Sequence, residues 1–478
     1  MLPLKAFASD LLLFRTFSLF SQTMNADNTA PVNMLRLLHP LSAIALIVGI
    51  VIGAGIFKTP SLVAGISGDA GWALVLWLAG ALISIVGALC YAELCTTYPN
   101  AGGDYHFLHR AFGRNISFIY GWSRATIINT GSIALLAFVF GDYMSTLVNL
   151  GAYSSAIWAL LIVVFLTAVN LAGIHASSRM QTWLTVTEIV GLLAVVVAGF
   201  WVDAPSSGAI QWFAQAPAPA QWGLCLVFVL LTFGGWNESA YISAELKGGP
   251  RTMVWVILAS MVTLTVIYLL VNTALLLGLG LSGLSQSKTA AGDLLGIAFG
   301  PFAQKSLGLF VAIAALTSIN ATMFVGARTN FAVGTDWKAL RKLGQWQMDI
   351  GSPKPALLMQ AIISIGLIAL GTQEADGFSA MVEFTAPVFW GFLFMVGLSV
   401  IWLRQKDAQA TRPFKVPLYP ILPLIFCAVC AWLTYSSITY AISQKAIHVS
   451  MWLIASGVLA LLILRAREKT LEQAANQT

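Results

Sequence analysis

Runs of about 20 apolar residues, long enough for a helix to cross a bilayer, recur along the chain with short polar breaks between them. Twelve spans are predicted, near residues 41–65, 71–97, 116–147, 153–172, 180–202, 222–246, 253–280, 305–335, 356–371, 379–403, 418–438 and 449–465. The third and eighth are longer than a perpendicular helix needs, so they tilt or project beyond the lipid. Two spans carry glycines at their centres. The first reads "GIVIGAGIF" around Gly53 and Gly55, and the sixth "LTFGGWNE" around Gly234 and Gly235. Each opens a block of five spans. Glycine also serves close helix packing, but interruptions at matching places in two halves point to broken helices around a ligand site. The N-terminal end of a half-helix favours a carboxylate, and C-terminal ends with loose carbonyls favour an ammonium. Such a pair of breaks suits a zwitterion.

Of 478 residues only 9% are charged and 58% are hydrophobic, against about 25% charged in soluble domains. The fold class is therefore all-α integral membrane. The net charge of +6 is spread over short connections and forms no nucleic-acid-binding face. With the N-terminus inside, one side of the membrane holds Arg36, Arg110, Arg114, Arg179, Lys247, Arg251, Lys338, Arg341, Lys342, Lys354, Arg404, Lys406, Arg412, Lys415, Arg465, Arg467 and Lys469. The other holds Lys288, Lys305 and Lys445. The positive-inside rule then places both termini in the cytoplasm, in an inner or plasma membrane. Residues 1–38 read as a cytoplasmic extension rather than a signal peptide, because Asp10 and Arg15 break their apolar parts and no cleavage site follows. Met24 and Met34 are alternative starts. The chain is divided into 1–38, a first block 39–220, a second block 221–404, two further spans in 405–466 and a tail 467–478.

Candidate chemistry is sparse. Cys90, Cys95, Cys225, Cys427 and Cys430 all lie in apolar segments, so no disulfide framework is expected and the C-x-x-C reads as packing. His39, His106, His109, His175 and His448 sit at ends or in loops. No metal or nucleophile cluster and no phosphate-binding loop stands out. An enzyme, an ATP-driven pump and a resident cofactor or metal are therefore not expected. A non-transporting sensor is a further alternative, but the tail "LRAREKTLEQAANQT" is short for a signalling domain.

Four stretches carry a resemblance: "GIVIGAGIFKTPSLVA" (49–64), "YAELCTTYPNAGGDYHFLHRAFGRNISFIYGW" (91–122), "FGGWNESAYISAELKGGPR" (233–251) and "INATMFVGARTNFAVGTD" (319–336). In this order they resemble the amino acid–polyamine–organocation superfamily, over about residues 39–465. Within it the chain is most similar to the L-amino-acid-transporter-like permeases. The resemblance implies a five-plus-five inverted repeat (the leucine-transporter-type fold) with discontinuous helices 1 and 6 and helices 11 and 12 outside the repeats. It also implies transport of amino acids or related amines by alternating access.

The resemblance and the dipole argument together nominate backbone groups of Ile52, Gly53, Ala54, Gly55 and Ile56 for a substrate carboxylate. Carbonyls near Thr232, Phe233 and Gly234 are nominated for the amino group. Phe233 and Trp236 are expected to act as a gate or to pack. Asn129, Thr130, Ser132, Ser318, Asn320 and Thr322 are expected as polar lining. Ionisable groups inside a membrane are functional candidates. By the resemblance Glu238 couples or gates transport, or else it makes a structural hydrogen bond. Many relatives place a lysine where this chain has Glu188. The acid either serves proton coupling or pairs with Arg124 of the third span. Glu93, Glu245 and Glu383 are expected in gating or anchoring contacts, and Lys58 in snorkelling or capping. Apolar Ile52, Ala54, Ile56 and Phe233 suggest a neutral L-amino acid, driven by proton symport or exchange; Glu238 leaves cationic amino acids and polyamines open. The expected partners are the amino acid, protons and lipid. No loop cysteine is present for a disulfide-linked accessory subunit.

Overall fold

Backbone in lipid must satisfy its own N–H and C=O groups, which leaves the helix or the closed barrel. The computed structural model is helical, with no β-strand among its described residues. These are residues 40–475 apart from Ala54, Ala101, 203–211, 244–245, Lys288, 348–351, 373–376 and 444–446. The predicted extension 1–38, Ala54 and Glu245 lie outside the described residues, as does the Glu383 side chain.

In chain order the helices are α1 (Pro40–Val51), α2 (Gly55–Ser67), α3 (Ala70–Thr97), α4 (Asp104–Phe112), α5 (Arg114–Ser123), α6 (Asn129–Leu147), α7 (Ser154–Leu171), α8 (Ile174–Trp201), α9 (Pro219–Thr232), α10 (Ser239–Ile242), α11 (Gly249–Gln286), α12 (Ala290–Phe299), α13 (Pro301–Asp336), α14 (Lys354–Gly371), α15 (Gly377–Lys406), α16 (Ile421–Ser443) and α17 (Ile447–Ala475). Among the described residues ten helices are long and apolar enough to cross a membrane, or up to twelve if each of two bent pairs is one span. The bent pairs are α1 with α2, meeting at 46°, and α9 with the turn and helix at Trp236–Ile242, meeting at 42°. Helices α4 and α12 have 9 and 10 residues, too few to cross lipid. Helix α6 packs between α13, α7 and α15, while α11 lies across α1, α2, α3 and α8.

Several ends differ from the hydrophobic pattern. The pattern predicts an end near 280, but α11 bends at Gly280 (φ 68°, ψ 169°) and continues to Gln286. The last predicted span ends at 465, yet α17 runs on to Ala475. There Glu468 accepts from Arg114 at 2.6 and 2.7 Å and from the Lys338 N–H at 3.0 Å, which fastens the extra turns to the bundle.

At the end rich in basic residues, Glu93 on α3 binds Arg404 through two hydrogen bonds of 2.7 and 2.5 Å and accepts from the Val416 N–H at 2.7 Å. Glu93 is thus an anchor between α3 and the α15–α16 connection. At the opposite end Asp69 caps α3 by accepting from Trp72 N–H at 3.0 Å. It also accepts from the N–H groups of Phe213, Ala214 and Gln215. Burial is the largest single influence on this carboxyl and raises its pKa, but the four N–H donors together hold it below the ordinary value.

Candidate functional site

Helix α1 makes its last regular turn with the Ile52 N–H on the Val48 carbonyl at 2.8 Å, and α2 begins at Gly55. The first-turn N–H groups of α2 have no intrahelical partner, so they form a site of positive dipole at the break. Close approach explains the glycines. A Cβ on Gly53 would stand 2.7 Å from Ser318 Oγ, and one on Gly55 would stand 3.3 Å from Thr232 Oγ1 and 3.6 Å from Thr232 Cα. The first break therefore touches the second.

Helix α9 ends at Thr232. Phe233 N–H still reaches the Val229 carbonyl at 3.0 Å, and Gly234 N–H the Leu231 carbonyl at 3.0 Å. Gly235 then turns left-handed at φ 106°, a conformation that favours glycine. It packs on α1, where a Cβ would lie 2.9 Å from Ile50 Cγ2. Thr232 Oγ1 lies 2.7 Å from Thr59 Oγ1 on α2. The Tyr268 hydroxyl on α11 joins both breaks: it lies 2.9 Å from the Val51 carbonyl and 3.1 Å from the Thr232 carbonyl.

A cavity of about 200 Å³ opens where the breaks meet, room for a small organic molecule rather than one or two waters. Ile50, Val51, Gly53, Gly55 and Thr59 line it from the first pair, and Phe228, Leu231, Thr232, Gly234, Gly235, Asn237 and Glu238 from the second. Ile128, Asn129, Ser132, Leu135 and Leu136 come from the third span, Ser318 and Thr322 from α13, and Thr385 and Phe389 from α15. Of the residues nominated from the sequence, Gly53, Gly55, Thr232, Gly234, Glu238, Asn129, Ser132, Ser318 and Thr322 come together on this wall.

Other expected residues lie elsewhere. Ile52 and Ile56 are buried in the core and do not line the cavity. Phe233 stacks at 4.9 Å from Tyr268 and 6.1 Å from Trp77. Trp236 turns to Tyr91 at 5.1 Å and Phe426 at 6.2 Å. Neither aromatic covers the cavity; Phe228 and Phe389 are the aromatic rings on its wall. Asn320 points to Asn170 and Gln181, at 2.8 and 3.0 Å. The apolar pocket inferred from Ile52, Ile56 and Phe233 is therefore replaced by one made of Ile128, Leu135, Leu136, Phe228, Leu231 and Phe389.

The charged groups also re-pair. Arg124 begins a π-helical turn, Arg124–Ile128, between α5 and α6. Its Nη2 meets both oxygens of Glu238, at 3.0 and 3.1 Å, and its Nη1 donates to Tyr120 at 2.9 Å. The expected Arg124–Glu188 pair does not form. Glu188 lies on α8 one turn beyond Thr185, whose side chain fills the space beside Gly49 of α1. Both Glu188 oxygens are buried with no hydrogen-bond partner among the described residues. Lys58 forms an ion pair with Asp142 at 3.8 Å.

Nothing local in the sequence marks Thr59, Tyr268 or Phe228 as site residues. Tyr268→Phe tests the link between the breaks. It leaves both carbonyls without that donor, an expected loss of about 1–3 kcal/mol. The expected reading is a lower unfolding temperature in detergent; an unchanged temperature would show that the hydroxyl holds nothing.

Residues 38–463 match the family model described as amino acid permease. The b(0,+)-type amino acid transporter 1 of Mus musculus is 29% identical, covering 83% of this chain and 82% of that protein. The serine/threonine exchanger SteT of Bacillus subtilis is 27% identical over 81% of this chain and 88% of its own. The large neutral amino acids transporter small subunit 2 of Homo sapiens is 28% identical over 81% and 74%. These relatives are transporters, not enzymes.

Proposed function

The chain belongs to the amino acid permease family, and from that premise we propose that it carries neutral L-amino acids across a cell membrane by alternating access. In this reading each bent pair is one discontinuous spanning helix, and the two open the halves of a five-plus-five inverted repeat. The positive-inside rule sets both termini and the basic end in the cytoplasm. Backbone N–H groups of Gly53 and Gly55 at the break receive the substrate carboxylate, and carbonyls ending α1 and α9, with those of Phe233 and Gly234, receive its ammonium.

One observation carries the choice of a neutral side chain. Glu238 is the acid that lines the cavity among its described residues, and Arg124 already meets both of its oxygens. A lysine or arginine side chain would have to compete with a buried guanidinium for that carboxylate. The remaining wall mixes aliphatic and aromatic side chains with neutral hydroxyl and amide groups, which suits neutral side chains. Burial of all five cysteines supports a transporter without a disulfide-linked accessory subunit.

Competition in proteoliposomes tests the reading, with labelled leucine against each of the twenty amino acids and putrescine. Neutral amino acids are expected to compete at least tenfold better than lysine, arginine or putrescine. Equal competition by the cations would overturn the neutral assignment in favour of a cationic amino acid or polyamine carrier. Preloading with amino acid, against an imposed proton gradient, separates exchange from proton symport. Failure of both to drive accumulation would reject transport.

A further inference from the structure

Between the cavity and helix α4 lies a second, smaller void of about 10 Å³, close to the space of a single water. Ile128, Asn237 and Phe389 line both spaces. The small void also touches Asp104 and Arg124. Asp104 is the first residue of α4, an element outside the spanning helices, yet its side chain is 3% exposed. Its Oδ2 accepts from the Tyr120 hydroxyl at 3.0 Å, and that hydroxyl accepts from Arg124 Nη1 at 2.9 Å. Asp104 Oδ1 is buried with no hydrogen-bond partner among the described residues. The chain Asp104–Tyr120–Arg124–Glu238 thus runs from a carboxyl at the basic end to a carboxyl on the cavity wall.

From this geometry we infer that Asp104 is a proton-binding residue of the transport cycle, exchanging its proton with the cavity through the water-sized void. The inference rests on the transport reading above. Charge counting gives the mechanism. One guanidinium serves two carboxyls. With Asp104 protonated, the set Asp104–Arg124–Glu238 is neutral, and Arg124 is held fully by Glu238. When the Asp104 proton leaves through the void, the set carries one net negative charge. Arg124 is then drawn through Tyr120 towards Asp104, and its hold on Glu238 loosens.

The groups facing Asp104 support a proton that comes and goes. They are Tyr91 and Cys95 on α3, Tyr120 on α5, Arg124, Glu238 and Tyr241 on α10. Arg124 is the cation among them. On α15, Phe392 and Leu393 line the void, while Arg404 is taken by Glu93 and Lys406 donates to the Arg110 carbonyl at 2.7 Å. Burial raises the Asp104 carboxyl to about 7, against the lowering pull of Arg124. An aqueous aspartate titrates near 3.9. The folded protein therefore holds this proton from about pH 4 up to about pH 7, and folding stability falls as pH rises through that window.

Exchange of labelled leucine in proteoliposomes between pH 5.5 and 8.5, on wild type, Asp104→Asn and Glu188→Gln, tests the inference. Infrared difference spectra of the same proteins between these pH values report the protonated carboxyl directly. The wild type is expected to change its exchange rate several-fold with a midpoint near pH 7 and to lose a carboxylic-acid band over the same range. Asp104→Asn is expected to lose both, while Glu188→Gln retains both. A wild type with a flat profile, or an Asp104→Asn protein that keeps the step and the band, would overturn the inference. Loss of the step in Glu188→Gln alone would overturn it in favour of Glu188. A wild type that exchanges no amino acid overturns the transport reading and the coupling role with it, and the infrared band still tells whether Asp104 binds the proton.

Discussion

Gly55→Leu is expected to abolish uptake while the protein still inserts and stays monodisperse in detergent. The reason is spatial. A Cβ at this position already stands 3.3 Å from Thr232 Oγ1 and 3.4 Å from its Cγ2. Three further carbons must occupy the space between the two breaks or push them apart. Overpacking of this kind costs about 1–3 kcal/mol, which a chain of this size tolerates. At the binding site the same displacement removes the ligand geometry, and an uptake loss of at least tenfold follows. Gly55→Ala is the milder step and should retain part of the activity. Normal uptake by the leucine variant, measured on equal amounts of inserted protein, would remove the breaks from the substrate site.

The second large effect belongs to Arg124. Its guanidinium is buried at 2% exposure and meets both Glu238 oxygens. Removing one partner of a buried ion pair costs about 3–5 kcal/mol, because a charge is left without compensation. Arg124→Met is therefore expected to lose most of its folded yield. The double change Arg124→Met with Glu238→Gln should recover much of it. Glu238→Gln alone should be milder, since Arg124 keeps Tyr120 and has Asp104 nearby. Unfolding temperatures of the four proteins form the cycle. Purely additive losses would show that the pair is not an energetic unit.

How much of this was readable in the sequence depends on the range of the interaction. Spans are local: a run of apolar residues must cross lipid as a helix, so positions such as Ala70–Thr97 and Ser154–Leu171 follow from hydrophobic length. The glycine breaks are local too, and Gly53, Gly55 and Gly234, nominated for the substrate, all line the cavity. What failed was facing. Along a regular helix each residue rotates by about 100°, but a left-handed Gly235 resets that phase. Phe233, still in the register of α9, packs on Trp77 and Tyr268, and past Gly235 the Trp236 ring turns to Tyr91 and Phe426. Arg124 meets Glu238, 114 residues away in the chain, instead of Glu188. Tyr268 and Asp104 were out of reach for another reason. The first lies 217 residues from the Val51 carbonyl it binds, and the second is defined by a void that no single segment encloses.

Tyr268 has one further consequence. A hydroxyl carries a single hydrogen, and here it faces two carbonyls, each of which has two lone pairs. At any instant it can occupy one lone pair of one carbonyl, so it leaves the other three of the four to other donors, at residues on the cavity wall. These acceptors come from opposite halves of the chain. A charged donor lodged between them would add a second rivet across the seam, and it would have to be drawn out before the two halves could slide apart.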